Sequence, residues 1–158
     1  MAEADRGVVV LQAPFARREA RQTIRRFFDA VARESQGELE ALLVSDAVLH
    51  TGPGSGNQVV SKAWASRFKR LDYEPSSIRR VFRDDELELY EPHELEQLSP
   101  PRRFALTPRA GQLLAVVNVR DRRAPGEPRR FGARIEFIVD YAERRARIRE
   151  VFEDFRLP

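Results

Sequence analysis

Between Arg17 and Arg33 the apolar residues fall at Ala20, Ile24, Phe27, Phe28 and Val31. That spacing gathers them on one stripe of a helix, with arginines and acids on the opposite side. In the following "SQGE", Ser35 and Glu38 stand at capping-box spacing, where each side chain satisfies the other residue's backbone N–H. A short second helix is expected there, with Leu39, Leu42 and Leu43 turned inward. Residues 47–51 read as a brief strand that enters the glycine-rich "GPGSGN", and Asp46 as the residue that turns the chain into it. Val60, Trp64, Phe68 and Leu71 then recur at helical spacing and predict a third helix over about residues 59–71.

Beyond that helix the period changes from that of a helix to that of a strand. "IRRVF", "ELELY" and "FALTP" are strand-like runs separated by the turn-prone "RDD" and "LSPP". Between the last two, "EPHELEQL" fits a short helix with Pro92 in its first turn. The C-terminal third alternates most clearly. "LLAVVNVRDR" leads through "APGEP" to a run in which Phe131, Ala133, Ile135, Phe137, Val139 and Tyr141 share one face. "ERR" turns the chain once more into "ARIREVFEDFRL", which makes three long antiparallel strands joined by hairpins. Helices first and a meander afterwards imply an α+β layer fold. Residues 1–16 read as an N-terminal extension and residues 17–158 as a single domain, without repeat, low-complexity tract or linker.

Composition narrows the chemistry. The 158 residues include no cysteine, so disulfides, zinc–thiolate sites and a thiol nucleophile are excluded, and a cytoplasmic location is expected. The apolar run Val8–Leu11 is too short for a signal-peptide core or a membrane span, so no membrane association is expected. Arginine dominates the 28 basic residues, with Lys62 and Lys69 the two lysines, but 25 acidic residues are spread among them. This balance favours a charged surface over a nucleic-acid interface. The basic stretch Arg120–Arg130 is interrupted by Asp121 and Glu127, carries no interleaved aromatic, and reads as a solvated hairpin tip.

The first helix, "GELEALLVSDAVLH" and the closing "ARIEFIVDYAERRARIREVFEDF" together resemble the nuclear transport factor 2-like superfamily over roughly Arg21–Phe155. That superfamily includes ketosteroid isomerases and SnoaL-like polyketide cyclases. The resemblance implies a curved antiparallel sheet wrapped around the N-terminal helices to form a cone with a pocket, and a homodimer formed through the sheet. It specifies fold better than activity. Where the isomerases carry their carboxylate base this chain has Thr51, which cannot shuttle a proton near neutral pH. Where they carry an oxyanion-hole tyrosine it has Phe27, which has no O–H to donate. Glu136 keeps the second oxyanion acid. Ketosteroid-type isomerisation is therefore disfavoured.

The remaining chemistry centres on His50, since an ordinary imidazole titrates close to neutral pH. Its alternative role is a histidine bonded to a neighbouring strand. The glycine loop lacks the lysine and hydroxyl residue of a phosphate cradle, because Asn57 and Gln58 follow Gly56. Trp64 stacks on a flat ligand or packs in the core. Glu136 and Arg134, on the face away from the aliphatic stripe, suit an ion pair. Glu91, His93, Glu94 and Glu96 lack an i,i+4 histidine pair, so no metal and no cofactor are expected. Three functions follow. The first is a protein that binds a hydrophobic or amphipathic small molecule through Phe28, His50, Thr51, Trp64 and Glu136. The second is a SnoaL-like lyase or isomerase using His50 and Glu136 as acid and base. The third is a dimeric interaction scaffold.

Overall fold

The computed structural model describes residues 2–51, 57–70, 87–118 and 134–153, with side chains from Ala16 onward. Helix α1 (Ala2–Ala32) leads into α2 (Gln36–Ala41), β1 (Leu43–His50), β2 (Asn57–Val59) and α3 (Val60–Arg70). Then come β3 (Glu88–Tyr90), α4 (Pro92–Glu96), β4 (Gln112–Asn118), β5 (Arg134–Ala142) and β6 (Arg145–Phe152). The six strands form one sheet in the order β2-β1-β6-β5-β4-β3. The architecture is α+β, as expected, but the sheet is mixed. β1 and β6 run parallel, and the other neighbouring pairs run antiparallel.

Helix α1 starts at Ala2, so the stretch read as an extension continues into the helix. Its stripe is buried as the spacing predicts: Ala20, Ile24 and Val31 have no accessible surface, and Phe27 and Phe28 almost none. These residues meet Ile135, Phe137 and Val139 from the β5 alternation, Leu49 and Ala47 from β1, and Trp64 from α3. Phe27 is the hub, with Phe28, Trp64 and Phe137 edge-on to it at centroid distances of 5.1–5.9 Å. Edge-to-face contacts of this kind add about 0.5–1.5 kcal/mol each beyond the area they bury.

Strand β4 is apolar on both faces, with Leu113 to Val117 all buried. Leu113, Ala115 and Val117 face the helices, whereas Leu114 and Val116 join Ile138 in a second cluster under Leu106. A continuous apolar run is what a strand covered on both sides requires. The cover on the second face is the segment containing "FALTP". This segment was expected as a strand, yet it forms none. Residues 101–109 instead cross the sheet as an irregular strap, and Gly111, at φ +82°, turns the chain from it into β4.

Two helix starts also differ from the sequence reading. Ser35 is the N-cap of α2, but its side chain makes no capping bond, and Glu38 pairs with Arg33. The capping box occurs at α4, between Glu91 and Glu94, with Pro92 in the first turn as expected. Between β5 and β6, Glu143 and Arg144 both take positive φ (53° and 61°), which makes a primed hairpin turn of the hand that suits twisted strands. "IRRVF", "GPGSG", Leu71 and the basic stretch 120–130 lie outside the described residues, as do Phe131 and Ala133.

Arg17 ties α1 to the far end of the sheet by donating to the Leu89 carbonyl (2.9 Å) and pairing with Glu94. Burial pushes the Glu94 carboxyl up, but the Glu91 backbone N–H and Arg17 together outweigh it and hold the group below its ordinary value of 4.5. A carboxyl whose folded value is depressed adds stability above its unfolded value and loses it as pH falls through the folded one. The stability gap between the wild-type protein and Glu94→Gln should therefore be full at pH 6 and shrink steadily below pH 4.5. Urea midpoints across pH 3–6 measure it, and a gap independent of pH would contradict the assignment.

Candidate functional site

The described side chains on the helix-covered face of the sheet are buried against one another. Trp64, Phe27 and Phe137 pack together there, and Phe28 is in van der Waals reach of the same cluster. Phe28 and Trp64 are therefore core residues, on the opposite side of the sheet from His50. That corrects the expectation that they share one pocket with it. Deeper along this face lies a buried ion pair. Arg67 of α3 pairs with Glu153 just past β6, and its guanidinium stacks 4.7 Å from the Trp64 ring centroid.

The open site is on the other face. A cleft of about 630 Å³ is lined by Asp46, Val48 and His50 of β1, by Glu150 and Phe152 of β6, and by Ala105 to Thr107 of the strap. Arg109, Gln112 and Arg149 close one end. This volume falls in the range of ordinary small-molecule sites. Strand parity explains which residues reach it. Val48 and His50 point away from the helices because Ala47 and Leu49 point towards them.

Register places His50 beside Phe152, and Phe152 beside Glu136. All three point to the same face, but His50 and Glu136 are separated by two strand spacings, about 10 Å. The partner that reaches His50 is Glu150, whose Oε1 lies 3.1 Å from the imidazole Nε2. Both side chains are about one-third exposed in the cleft (29% and 33%). Glu150 was not singled out from the sequence. Finding it requires the parallel β1–β6 pairing together with the irregularity that sets Val48 against Glu150, and a single strand's alternation contains neither.

Glu136 is completely buried and does not line the cleft. Its two oxygens accept the backbone N–H of Leu106 (2.9 Å) and of Ala105 (3.1 Å), and Arg134 Nε donates to it at 2.9 Å. The expected Arg134–Glu136 ion pair thus forms. With three hydrogen bonds shared between its two oxygens, the buried carboxylate clamps the strap and does not reach the cleft. Phe104, next to the clamp, lies between the guanidiniums of Arg102 and Arg134, at 4.9 and 5.2 Å.

A second chain of contacts fixes the closed end of the cleft. Arg149 Nε donates to Asp140, Gln112 Nε2 donates to the other oxygen of Asp140 (2.8 Å), and Gln112 Oε1 accepts from the Arg109 backbone N–H (2.9 Å). Asp46, expected as a turn residue, is an exposed member of β1 that lines the cleft. Thr51 follows β1 directly and does not line the cleft. Glu91, His93 and Glu94 have side-chain donor atoms within 4.8 Å of one another, but Arg17 already holds both glutamates. No described helix is long and apolar enough to cross a membrane.

No family model matches the sequence, and no curated protein matches it. Solved structures do match in three dimensions. The chain is similar to a nuclear transport factor 2-like protein with a cystatin-like fold from Novosphingobium aromaticivorans, at 12% identity and a TM-score of 0.55, over 92% of this chain and 85% of that one. It is equally similar to an uncharacterised protein with a cystatin-like fold from Caulobacter vibrioides, at 13% identity and a TM-score of 0.55, over 90% and 91% of the two chains. At such identities the likeness is one of fold.

Proposed function

We propose that this chain, which has the nuclear transport factor 2-like fold, binds a small amphipathic molecule in the cleft between β1 and the strap. One observation carries the reading. Among the described residues, Phe27, Trp64 and Phe137 are buried side by side on the helix-covered face, whereas the other face keeps an open cleft with an apolar floor and a charged rim. Val48, Leu106 and Phe152 supply the apolar surface, and His50, Glu150, Asp46 and Arg109 supply groups that orient a polar end. Native mass spectrometry of freshly purified protein tests the reading against Val48→Trp, which fills the cleft. A bound small molecule is expected on the wild-type protein and not on the variant. Equal retention by both would place the ligand elsewhere.

The His50–Glu150 contact supports a second reading, acid–base catalysis in the same cleft. A carboxylate that holds one ring nitrogen leaves the other free to accept a proton. In this reading Glu150 takes the part that the sequence had suggested for Glu136. His50→Gln should then abolish turnover of the retained molecule while leaving its binding within a few-fold. A homodimer through the sheet is compatible with the fold, but the strap already covers Leu114, Val116 and Ile138. A second copy would have to dock on the β1–β6 half.

A further inference from the structure

We infer that the cleft selects a zwitterionic small molecule with an apolar body, of the kind of an α-amino acid with an apolar side chain; this rests on the binding function proposed above. The argument begins with the charges on the cleft wall. His50 and Glu150 bond each other, and Arg149 is held by Asp140. Among the described residues, two charged groups of the lining remain without a hydrogen bond or ion pair: the carboxylate of Asp46 and the guanidinium of Arg109. They are opposite in sign, with Asp46 on β1 and Arg109 at the end of the strap.

Both are presented by irregular backbone that the surroundings hold in place. Leu43 pairs with Ile148 and Val48 with Glu150, so five steps along β1 match two along β6, and Asp46 lies within that irregularity. Departures of this sort re-aim side chains out of the regular alternation. The Arg109 backbone is tied by its N–H to Gln112, and the Gln112 N–H returns to the Arg109 carbonyl at 3.0 Å. The strap lies over β4 and β5, so it and β1 stand two or three strand spacings apart, about 10–14 Å. Asp46 and Arg109 both line the cleft, whose volume of about 630 Å³ takes one small molecule between them. An ammonium on Asp46 and a carboxylate on Arg109 would satisfy both, with the second able to form a two-pronged pair. Val48, Leu106 and Phe152 then cover the apolar part. A ligand with one charge would engage one of the two groups and leave the other to water.

The test uses L-phenylalanine, phenylethylamine, which lacks the carboxylate, and 3-phenylpropionate, which lacks the ammonium. Each is titrated into the full chain by calorimetry, with backbone amide shifts to locate it. L-Phenylalanine should bind about tenfold more tightly than either analogue, with shifts at Val48, His50 and Leu106. Asp46→Asn should remove its advantage over 3-phenylpropionate, and Arg109→Gln its advantage over phenylethylamine. Both positions are exposed, so neither change disturbs the core. If all three compounds bind in the cleft with equal affinity, the zwitterion inference falls and the binding function stands. If none of them shifts the cleft resonances, the inference falls, and Val48→Trp with the retained ligand then decides the binding function separately.

Discussion

Glu153→Ala should destabilise the protein by about 3–5 kcal/mol, a large fraction of the total stability of a domain this size. Glu153 is 1% exposed and Arg67 is 6% exposed, so deleting the carboxylate takes a counter-charge away from a guanidinium held out of water. The stacking of Arg67 on Trp64 favours its buried position by about 0.5–2 kcal/mol. The pair as a unit is a different matter, because two buried charges pay desolvation that their attraction barely repays. Replacing both together, as Arg67→Met with Glu153→Leu, should recover most of the loss. Urea denaturation of the two variants measures the contrast, and equal destabilisation by the single and double changes would refute it.

Glu136→Leu should cost about 2–5 kcal/mol, because the backbone N–H groups of Ala105 and Leu106 lose their acceptor and each unsatisfied group costs about 1–3 kcal/mol. The effect should also be local. Arg102, Arg103 and Arg109 are trypsin sites on or beside the strap, and cleavage at them should accelerate well before the sheet unfolds. Glu136→Gln should fall between the two, since a carboxamide keeps one acceptor but turns a donor towards the other N–H. Trypsin cleavage as slow in Glu136→Leu as in the wild-type protein would show that the strap is held by Leu106 and Phe104 alone.

The helices were legible because a helix buried on one side writes its stripe into the sequence, as Ile24, Phe27 and Val31 do on α1 and Val60 and Trp64 on α3. The strap was misread for a related reason. Phe104, Leu106 and Pro108 alternate as a strand's residues would, and Leu106 and Pro108 are indeed buried. Alternation records which residues face the protein, not what receives the backbone amides, and here a carboxylate from β5 receives two of them. The site was partly legible. Parity put Glu136 on the face away from the aliphatic stripe correctly, but its distance from His50 depends on which strand lies between them. Phe152 intervenes because β1 pairs with β6, a contact across about a hundred residues that no local pattern encodes. Likewise, the apolar stripe through Phe28 and Trp64 predicts burial without revealing whether the space it faces is empty.

That same parallel pairing has a consequence for how the molecule comes to exist. β6 lies between β1 and β5 at the middle of the sheet, yet it is the last strand in chain order. Helices α1 to α3 and strand β1 emerge first during synthesis, and their apolar sides have no sheet to cover until β6 arrives and joins the early half to the late one. Contacts this distant in sequence slow folding, and exposed apolar surface during the wait favours association with other chains. Substitutions that slow the tight Glu143–Arg144 reversal should therefore lower the yield of folded protein more than they lower its stability once formed.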